Sequence, residues 1–598
     1  MPSFKVRRTL PTAVFGASLV LCLGYLYLVP HELAQQSLLW PSSSTSPPNI
    51  LPLPHQALTD LPIPDDYIAE PSASSFCADR FSKKYLLDMR AASFQYCKNN
   101  SYSSASSPTL TCFHSHTSSD DARDSLCLAQ GIFFDPSAKK FVLPCDIVAP
   151  DADAKARGAI PFEAVRQYWY DTGPRYIFEK HVSFVPGNQR IADNKIAKQA
   201  STPTTRYTLL IKREGEGNLW HCLMEIWSMT MSMDVLRMAR DPATGRAFWG
   251  EGVRVGGASE TDDRDPNFQV VILDDRDDGP YFDLWKLFSG RPALRLAQLA
   301  SDPAAASFYG LAGGRGGDDD DSSTAENSVP VVDHRFIVPL AGASNPVWQN
   351  DWTVRDCTNS ETLRAFVGRV LRHYSVDDKQ NEEAVARDAD DQRIRVTFID
   401  RKDANTRRLA DQDRLLAALR DAYGNDTVHV EAVDFGALPD FAAQLRVARA
   451  TDVLVGVHGA GLTHTMFLRE QTSAVVEIQP ADMETTYMGF RNLANMRGIS
   501  YFRTHAAAVD ETEWEKKAKE GAEMKMELKS ESKPEVSGEK ETATETDSSS
   551  TERRHLRPVR RAAWHTENFA IDTDVFVRAV GAAIEAVANK GVHQKEVL

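Results

Sequence analysis

Short apolar blocks and longer amphipathic stretches alternate along the second half of the chain. Residues 408–423 and 441–450 carry apolar positions at helical spacing and predict two helices. Buried strands are predicted at 394–399, 427–433, 452–457 and 474–478. Strand–helix alternation with short connections is typical of a parallel sheet with helices on both faces. The second half is therefore predicted to be an α/β domain.

A similar pattern precedes it. Strands are predicted at 207–212, 270–273 and 336–340. A glycine-containing turn at 215–218 leads into an apolar, methionine-rich helix at 219–237. These blocks predict a first α/β domain ahead of the second one.

The N-terminus carries a candidate membrane anchor. Lys5, Arg7 and Arg8 precede an uncharged apolar run at 10–29, and about 20 such residues suffice to cross a bilayer. Cationic residues ahead of the run favour a cytosolic N-terminus, and the length favours a type II anchor over a cleaved signal peptide. The predicted order is a tail (1–9), the anchor (10–29), a stem (30–75), a cysteine-rich head (76–150), the first α/β domain (151–360), the second (361–508), an insertion (509–555) and a terminal segment (556–598) whose helix returns to the first domain.

Acidic residues are concentrated in two low-complexity segments. The chain of 598 residues has a formal net charge of −15. Fourteen acids and seven lysines in 510–552, together with Asp318 to Asp321, supply eleven of these excess negative charges. The remainder is nearly neutral, so no basic face for nucleic acid is predicted. The insertion 509–555 lacks apolar side chains for a core and is predicted to be disordered.

Cysteine usage indicates an oxidising compartment. Apart from Cys22 in the apolar run, the cysteines are Cys77, Cys97, Cys112, Cys127, Cys145, Cys222 and Cys357. No pair has CxxC spacing and no histidine group completes a zinc pattern, so disulfides are favoured. Their number is odd, so one thiol is expected to stay free, and the pairing is open. Asn99 and Asn425 begin glycosylation sequons.

The segment 452–479 carries the most specific candidate chemistry. A buried strand is followed by His458-Gly-Ala-Gly461 and a helix predicted from about Leu462. Glycines allow close backbone approach to a ligand, and free amides at a helix start bind phosphate. Glu477 ends the next strand, at the edge where ligands of α/β sheets collect. The alternative is a tight turn with Glu477 as a surface acid.

Several motifs resemble one family of enzymes. VGVHGAGLTHTMFL at 455–468, followed by VVEIQP, is similar to the signature of glycosyltransferase family sixty-one. Asn218 to His221 with Glu225 resembles the family's helix start, and the stretches 279–285 and 346–366 resemble its EGF-domain-specific O-linked N-acetylglucosamine transferase branch. The resemblance implies a lumenal, inverting enzyme of the ER or Golgi with the GT-B fold, in which two Rossmann-like domains face a cleft. It implies a UDP-sugar donor and a protein Ser or Thr acceptor, with xylosyl or arabinosyl transfer to glycans as the alternative.

Donor binding is expected in the second domain. Two arginines after a strand can neutralise the diphosphate, the loop amides and histidine can bind it, and the strand-end acid can accept bonds from ribose hydroxyls. With the helix-start asparagine from the resemblance, the predicted substrate-binding residues are Asn218, Arg401, Arg407, His458, Gly459, Ala460, Gly461, Leu462 and Glu477. Asp411 stands where the family has Asn, which departs from its arginine motif. The alternatives are a solvated helix start for the arginines and a turn histidine at 458.

The catalytic base is expected in the first domain. His221 and Glu225 are four residues apart and share one face of the predicted helix, so either can be the base with the other orienting it. The alternative is a buried hydrogen-bonded pair. The acidic cluster at 274–278 is a candidate Mn²⁺ site, but no metal is favoured. A binding protein without turnover is the alternative function, whereas a dinucleotide oxidoreductase is excluded because no GxGxxG follows a strand.

Overall fold

The computed structural model describes residues 61–68, 74–97, 108–115, 123–186, 204–249, 268–301, 332–376, 393–509, 567–589 and 594–596, apart from short gaps at 136, 216, 242–244, 280, 287–288, 290, 300, 403, 405, 482 and 484–486. The chain divides into two compact units, Met1–Leu58 and Thr59–Leu598, and every described residue belongs to the second. The predicted tail 1–9, the anchor 10–29, the sequon at Asn99 and residues 510–555 of the insertion lie outside the described residues.

The described strands are β1 (Ser93–Gln95), β2 (Thr109–His114), β3 (Ser125–Gln130), β4 (Phe133–Asp135), β5 (Lys140–Pro144), β6 (Val182–Val185), β7 (Thr204–Ile211), β8 (Phe268–Ile272), β9 (Leu294–Arg295), β10 (Val332–Val338), β11 (Ile394–Ile399), β12 (Val428–Val433), β13 (Val453–Val457), β14 (Ala474–Pro480), β15 (Ser500–Val509), β16 (Asn568–Ala570) and β17 (Gln594–Glu596).

The described α-helices are α1 (Ser75–Phe81), α2 (Lys83–Ala91), α3 (Ala152–Ala156), α4 (Pro174–His181), α5 (Leu219–Met238), α6 (Pro346–Gln349), α7 (Glu361–His373), α8 (Gln412–Tyr423), α9 (Phe441–Ala450), α10 (Gly489–Met496) and α11 (Thr573–Ala588).

The first sheet has seven strands in the order β1-β2-β3-β10-β7-β8-β9. The pairs from β1 to β10 are antiparallel, and those from β10 through β7 and β8 to β9 are parallel. The cysteine-rich head therefore extends this sheet as its antiparallel edge. A separate three-stranded sheet is formed by β4, β5 and β6.

The second sheet has the order β12-β11-β13-β14-β15-β16, and β17 also pairs with β15. All pairs from β12 to β15 are parallel. The prediction of strand–helix alternation in this half is confirmed, and β11 has the predicted bounds Ile394–Ile399. The two sheets and their helices make a mixed α/β fold, as predicted.

The terminal helix α11 packs on the second sheet. Phe576, Val580 and Ile584 are buried in one core with residues of β11, β13 and β14. Ahead of the helix, β16 pairs antiparallel with β15. The prediction that this helix returns to the first domain is therefore wrong, because its apolar face covers the sheet that β16 extends.

Part of the predicted stem is folded. Tyr67 is buried, and its hydroxyl donates to Oδ2 of Asp234 on α5 at 2.7 Å. The same carboxylate accepts from Nη1 of Arg369 on α7 at 2.6 Å, and Arg369 also pairs with Asp66 at 2.7 Å. These bonds tie the segment 61–68 to two helices, so the stem is shorter than 30–75.

Three disulfides join six of the described cysteines: Cys77–Cys357, Cys97–Cys145 and Cys112–Cys127. Cys222 is buried and takes part in none of these three disulfides, which agrees with the odd number of cysteines. The prediction of disulfides is confirmed, and such bonds are typical of secretory proteins. Among the described residues, no helix combines the length and apolar character that crossing a membrane requires.

Candidate active site

The loop 458–461 leaves the carboxyl end of β13, a central strand of the second sheet. Gly459 has φ 155° and ψ −179°, a region essentially restricted to glycine. A Cβ atom at this position would lie 2.9 Å from Nη1 of Arg407. The backbone conformation excludes a side chain, so the main chain can be approached closely by a ligand.

A 3₁₀ helix, Ala460–Phe467, follows the loop where an α-helix was predicted. The amide of Leu462 donates to the carbonyl of Gly459 at 3.0 Å, which is the first bond of this tighter helix. The amides of Ala460 and Gly461 precede that bond and have no intrahelical partner. Two backbone donors outside the helical ladder therefore lie at the strand edge where ligands of α/β sheets bind.

One arginine contacts this loop, and a second lies close enough to repel its charge. Arg407 donates through Nη1 to the carbonyl of His458 at 3.3 Å, and Arg401 donates to the carbonyl of Thr406 at 3.3 Å. The Nε atoms of both side chains are buried without a hydrogen-bond partner, and within the described part of the chain neither guanidinium has a carboxylate at ion-pair distance. Burial and the charge of Arg401 lower the pKa of Arg407 to about 10, and burial lowers that of Arg401. The two cations repel each other, so the site favours an anion.

His458 is held by a buried carboxylate. Its Nδ1 lies 2.5 Å from Oε1 of Glu477, whose Oε2 accepts from the hydroxyl of Tyr501 at 2.6 Å. Glu477 is 1% exposed. It is therefore not the surface acid of the alternative interpretation, and both oxygens are occupied, so contact with ribose is not favoured. The carboxylate instead orients His458 beside the loop.

The second candidate group lies where α5 begins. The side chain of Asn218 accepts from the amide of Trp220 at 3.0 Å and so caps the helix. Eighteen of the twenty helix residues are buried, and His221 is the one partly exposed residue near the N-terminus. Its Nδ1 lies 3.1 Å from Oε2 of Glu214, and its ring packs on Trp348 at a centroid distance of 4.6 Å.

Glu225 does not pair with His221 as predicted. It is buried, and its Oε1 accepts from the backbone amide of Glu214 at 2.6 Å, while Oε2 has no partner among the described residues. Burial raises the pKa of Glu225 well above its usual value, and the nearby carboxylates of Glu214 and Asp274 add to this. Glu214, and not Glu225, is therefore the carboxylate at ion-pair distance from His221, although neither of its oxygens meets hydrogen-bond geometry among the described residues. Glu225 bonds to the backbone amide of Glu214 instead.

Ring contacts connect the two groups. Trp220, at the start of α5, meets Phe490 on α10 at a centroid distance of 5.5 Å, and Phe490 meets His458 at 5.6 Å. The candidate base lies on a helix of the first sheet's half and the candidate phosphate loop follows a strand of the second sheet, but both border the same aromatic rings.

The sequence model of the family described as Glycosyltransferase 61 matches residues 327–475. The chain carries a glycosyltransferase 61 domain. The resemblance inferred from the motifs is confirmed, and this domain includes Arg401, Arg407 and the loop 458–461. His221 and Glu214 lie ahead of it.

Curated relatives match about a quarter of the chain. The EGF domain-specific O-linked N-acetylglucosamine transferase of Drosophila melanogaster is 32% identical over 155 residues, which is 26% of each chain. The protein of that name from Mus musculus is 32% identical over 156 residues, or 26% of this chain and 27% of its own. The matched region therefore spans about a quarter of the length of these relatives.

Arginine side chains pair with the acidic cluster 274–278, which lies ahead of the glycosyltransferase 61 domain. Asp274 accepts several bonds from the buried Arg213, the shortest being Nη2 to Oδ1 at 2.8 Å and the backbone amide to Oδ2 at 2.9 Å. Asp278 pairs with Arg213 at 3.3 Å. Among the described residues, no group of three or more His, Cys, Asp or Glu side chains has an arrangement that holds a metal ion. The observed role of Asp274 is to position Arg213.

Sequence reasoning missed Glu214 and Tyr501. Glu214 lies directly before the glycine-containing turn 215–218, where an acid resembles any polar loop residue. Its closeness in sequence to Asn218 and His221 was the available signal, because a carboxylate just before a helix is favoured near polar side chains and amides of the first turn. Tyr501 belongs to β15, which was not predicted, so no signal connected it with Glu477.

Proposed function

We propose that this protein is an inverting glycosyltransferase that transfers N-acetylglucosamine from its UDP derivative to a serine or threonine hydroxyl of a protein. The glycosyltransferase 61 domain and the names of the relatives support a glycosyltransferase. One structural observation carries the donor site: Arg407 lies beside Gly459, its charge is repelled by that of Arg401, and neither guanidinium has a carboxylate at ion-pair distance among the described residues.

The chemistry of the donor site follows from charge. Cleavage of the sugar–phosphate bond leaves additional negative charge on the UDP diphosphate. Arg401 and Arg407 can form charge-assisted bonds to it, and the amides of Ala460 and Gly461 add two donors. These groups supply positive potential from the protein itself, so we expect no requirement for Mn²⁺.

His221 is the proposed base. Its Nδ1 faces Glu214, which leaves Nε2 to take the proton of the acceptor hydroxyl. The hydroxyl oxygen bonds to the anomeric carbon while the bond from that carbon to the phosphate oxygen breaks on the opposite face. The proton passes to His221 and the electron pair leaves with UDP. Glu214 stabilises the imidazolium that forms, and Glu225 fixes Glu214 through its backbone amide.

The proposal assigns the domains by these roles. In a GT-B arrangement, 151–360 would hold the acceptor and base, and 361–508 would hold the UDP-sugar, with the cleft between the two sheets. A type II location in the ER or Golgi lumen is consistent with the disulfides. The anchor at 10–29 remains a prediction.

The test uses the purified full chain. Isothermal titration calorimetry should detect UDP binding, and UDP should be released from UDP-N-acetylglucosamine when a folded EGF-like domain is present. NMR of the product should show the β-anomer, as inversion of an α-linked donor requires. UDP-xylose and UDP-arabinose with oligosaccharides serve as matched alternative substrates.

Failure would take two distinct forms. Absence of UDP binding would refute the donor site. UDP binding without release from any of the donors would contradict catalysis and support the alternative of a non-catalytic binding protein.

A further inference from the structure

A continuous row of six aromatic rings crosses the candidate site. Neighbouring rings lie 6.4, 6.5, 5.5, 5.9 and 5.2 Å apart between centroids. In order, this aromatic row consists of Trp169, Trp348, Trp220, Phe490, Tyr487 and Trp352. Such contacts stabilise ring positions beyond simple burial.

Both candidate histidines contact inner rings of the row. His221 packs on Trp348 at 4.6 Å, and His458 packs on Tyr487 at 4.7 Å. The row therefore borders the proposed base at one part of its length and the proposed phosphate loop at another. A molecule that contacts both exposed ends of the row spans the distance between them, which is the place an acceptor hydroxyl must reach.

The two ends of the row are open to solvent. Trp169 is 54% exposed and Trp352 is 60% exposed, whereas Trp220 and Phe490 are buried. Tyr170, next to the first of these, is also 54% exposed. Of the six large apolar side chains that are exposed in the described part of the chain, four lie in the stretches 169–170 and 352–354. An exposed apolar patch of this kind marks a site of interaction.

The loop that presents Trp169 is held in an unfavourable backbone conformation. Tyr168, Tyr170 and Asp171 have φ values of 59°, 57° and 59°, a backbone conformation that residues other than glycine rarely adopt. Such conformations persist where the surroundings enforce them and are concentrated at functional sites.

A buried carboxylate provides that enforcement. Asp124 accepts from the hydroxyl of Tyr168, and both of its oxygens accept from Nε2 of Gln349 at 3.0 Å. Gln349 ends α6, the helix that places Trp348 on His221. One acid thus fixes the Trp169 loop and the ring beside the base in a common frame.

We propose that Trp169 and Trp352 bind the acceptor protein at the two ends of the aromatic row and place its hydroxyl between His221 and the donor loop. This inference rests on the proposed function, and it adds the residues that select the acceptor. Four rings separate the exposed ends along the row, so a single sugar ring cannot cover both. Exposed tryptophans are typical anchors of protein interfaces, where they fill apolar hollows on a partner. The occupant is therefore a folded protein with apolar side chains flanking its Ser or Thr.

The test compares Trp169→Ala and Trp352→Ala with Phe133→Ala, a matched control in which an exposed ring is removed from β4 of the three-stranded sheet. With the full chain, UDP-N-acetylglucosamine and an EGF-like domain, each tryptophan variant should lower kcat/KM for the acceptor by about tenfold or more. Most of this loss should appear in the acceptor KM. The Kd for UDP should stay at the wild-type level in both tryptophan variants. The control variant should keep the wild-type kcat/KM for the acceptor.

A binding assay separates this inference from the proposed function. Biolayer interferometry with immobilised EGF-like domain, in the presence of UDP, measures acceptor affinity without turnover. Weaker binding of both tryptophan variants supports the row as the acceptor site even if transfer is never seen. Wild-type acceptor affinity in both variants, no binding by the wild-type chain, or an equal loss of UDP affinity would each overturn it. A loss confined to oligosaccharide acceptors would overturn the protein partner.

Discussion

Arg407 offers the sharpest test of the donor site, because its charge should help binding and hinder folding. We consider Arg407→Met, which keeps an unbranched apolar stem and removes the guanidinium. The side chain contacts the carbonyl of His458 and lies against Gly459. Its Nε is buried without a partner among the described residues. In the free protein, this cation is therefore poorly compensated.

The expected loss of affinity follows from the bonds removed. Hydrogen bonds to charged groups contribute about 1.5–3 kcal/mol. Loss of one such bond to the diphosphate should weaken UDP binding by about 10–150-fold.

The expected gain in stability follows from the lowered pKa. A fall of the pKa of Arg407 to about 10 corresponds to a penalty on the order of 3 kcal/mol for the charged form. Solvent screening of a partly exposed group reduces this to about 1–2 kcal/mol. Removing the charge should thus leave the melting temperature of the free protein unchanged or raise it by about 1–4 °C.

Titration calorimetry with UDP and thermal melts without ligand measure the two effects separately. Arg414→Met is a suitable control, because Arg414 is 58% exposed and pairs only loosely with Asp411 at 3.5 Å. Unchanged UDP affinity in the Arg407 variant would refute the reasoning. A joint fall in affinity and melting temperature would show that Arg407 supports the fold rather than the ligand.

Two further predictions concern buried acids. Glu214→Gln should lower kcat by about 10²-fold or more and alter the pH profile of kcat, because the charge beside His221 is lost, while the Kd for UDP stays unchanged. Glu225→Gln should lower kcat less. Equal losses of kcat in the two variants would contradict the assignment of Glu214 as the partner of His221. Burial raises the pKa of Asp351 to about 8, so the folded state binds a proton that the unfolded state releases near pH 4. Stability from this group is therefore lost as pH rises, by about 1.4 kcal/mol per pH unit between pH 5 and 7.5, and Asp351→Asn should flatten the decline of the melting temperature; an unchanged slope would exclude Asp351 as its source.

Regular periodicity made the second sheet predictable. Strands such as Ile394–Ile399 are short apolar blocks in a parallel sheet, where burial on both faces makes the pattern continuous. The turn at 458–461 was also predictable, because two glycines directly after a strand favour a tight turn with unusual backbone conformations. The 3₁₀ geometry after it was not predicted, because the sequence pattern of a short helix does not separate 3₁₀ from α-helical geometry.

Contacts between distant segments escaped prediction. His221 was paired with Glu225 because helical spacing is visible in the sequence, whereas its observed partner, Glu214, is positioned by a loop. Cys77 and Cys357 are 280 residues apart, and no local pattern connects them. The sheet on which α11 packs was predicted wrongly, because an apolar helix face can cover either sheet. The pairing of β16 with β15 places the helix on the second sheet.

The helix α5 connects the candidate base with the candidate donor loop through packing contacts. Its burial along nearly the whole length means that His221 cannot move without disturbing the core. At its start, Trp220 packs on Phe490, and α10 in turn contacts the 3₁₀ helix that follows the phosphate loop. The separation of base and donor loop is thus set by packed rings rather than by a mobile linker. Substitutions within the row should consequently affect acceptor placement first, because the donor loop is also held by β13 and Ile399 from behind.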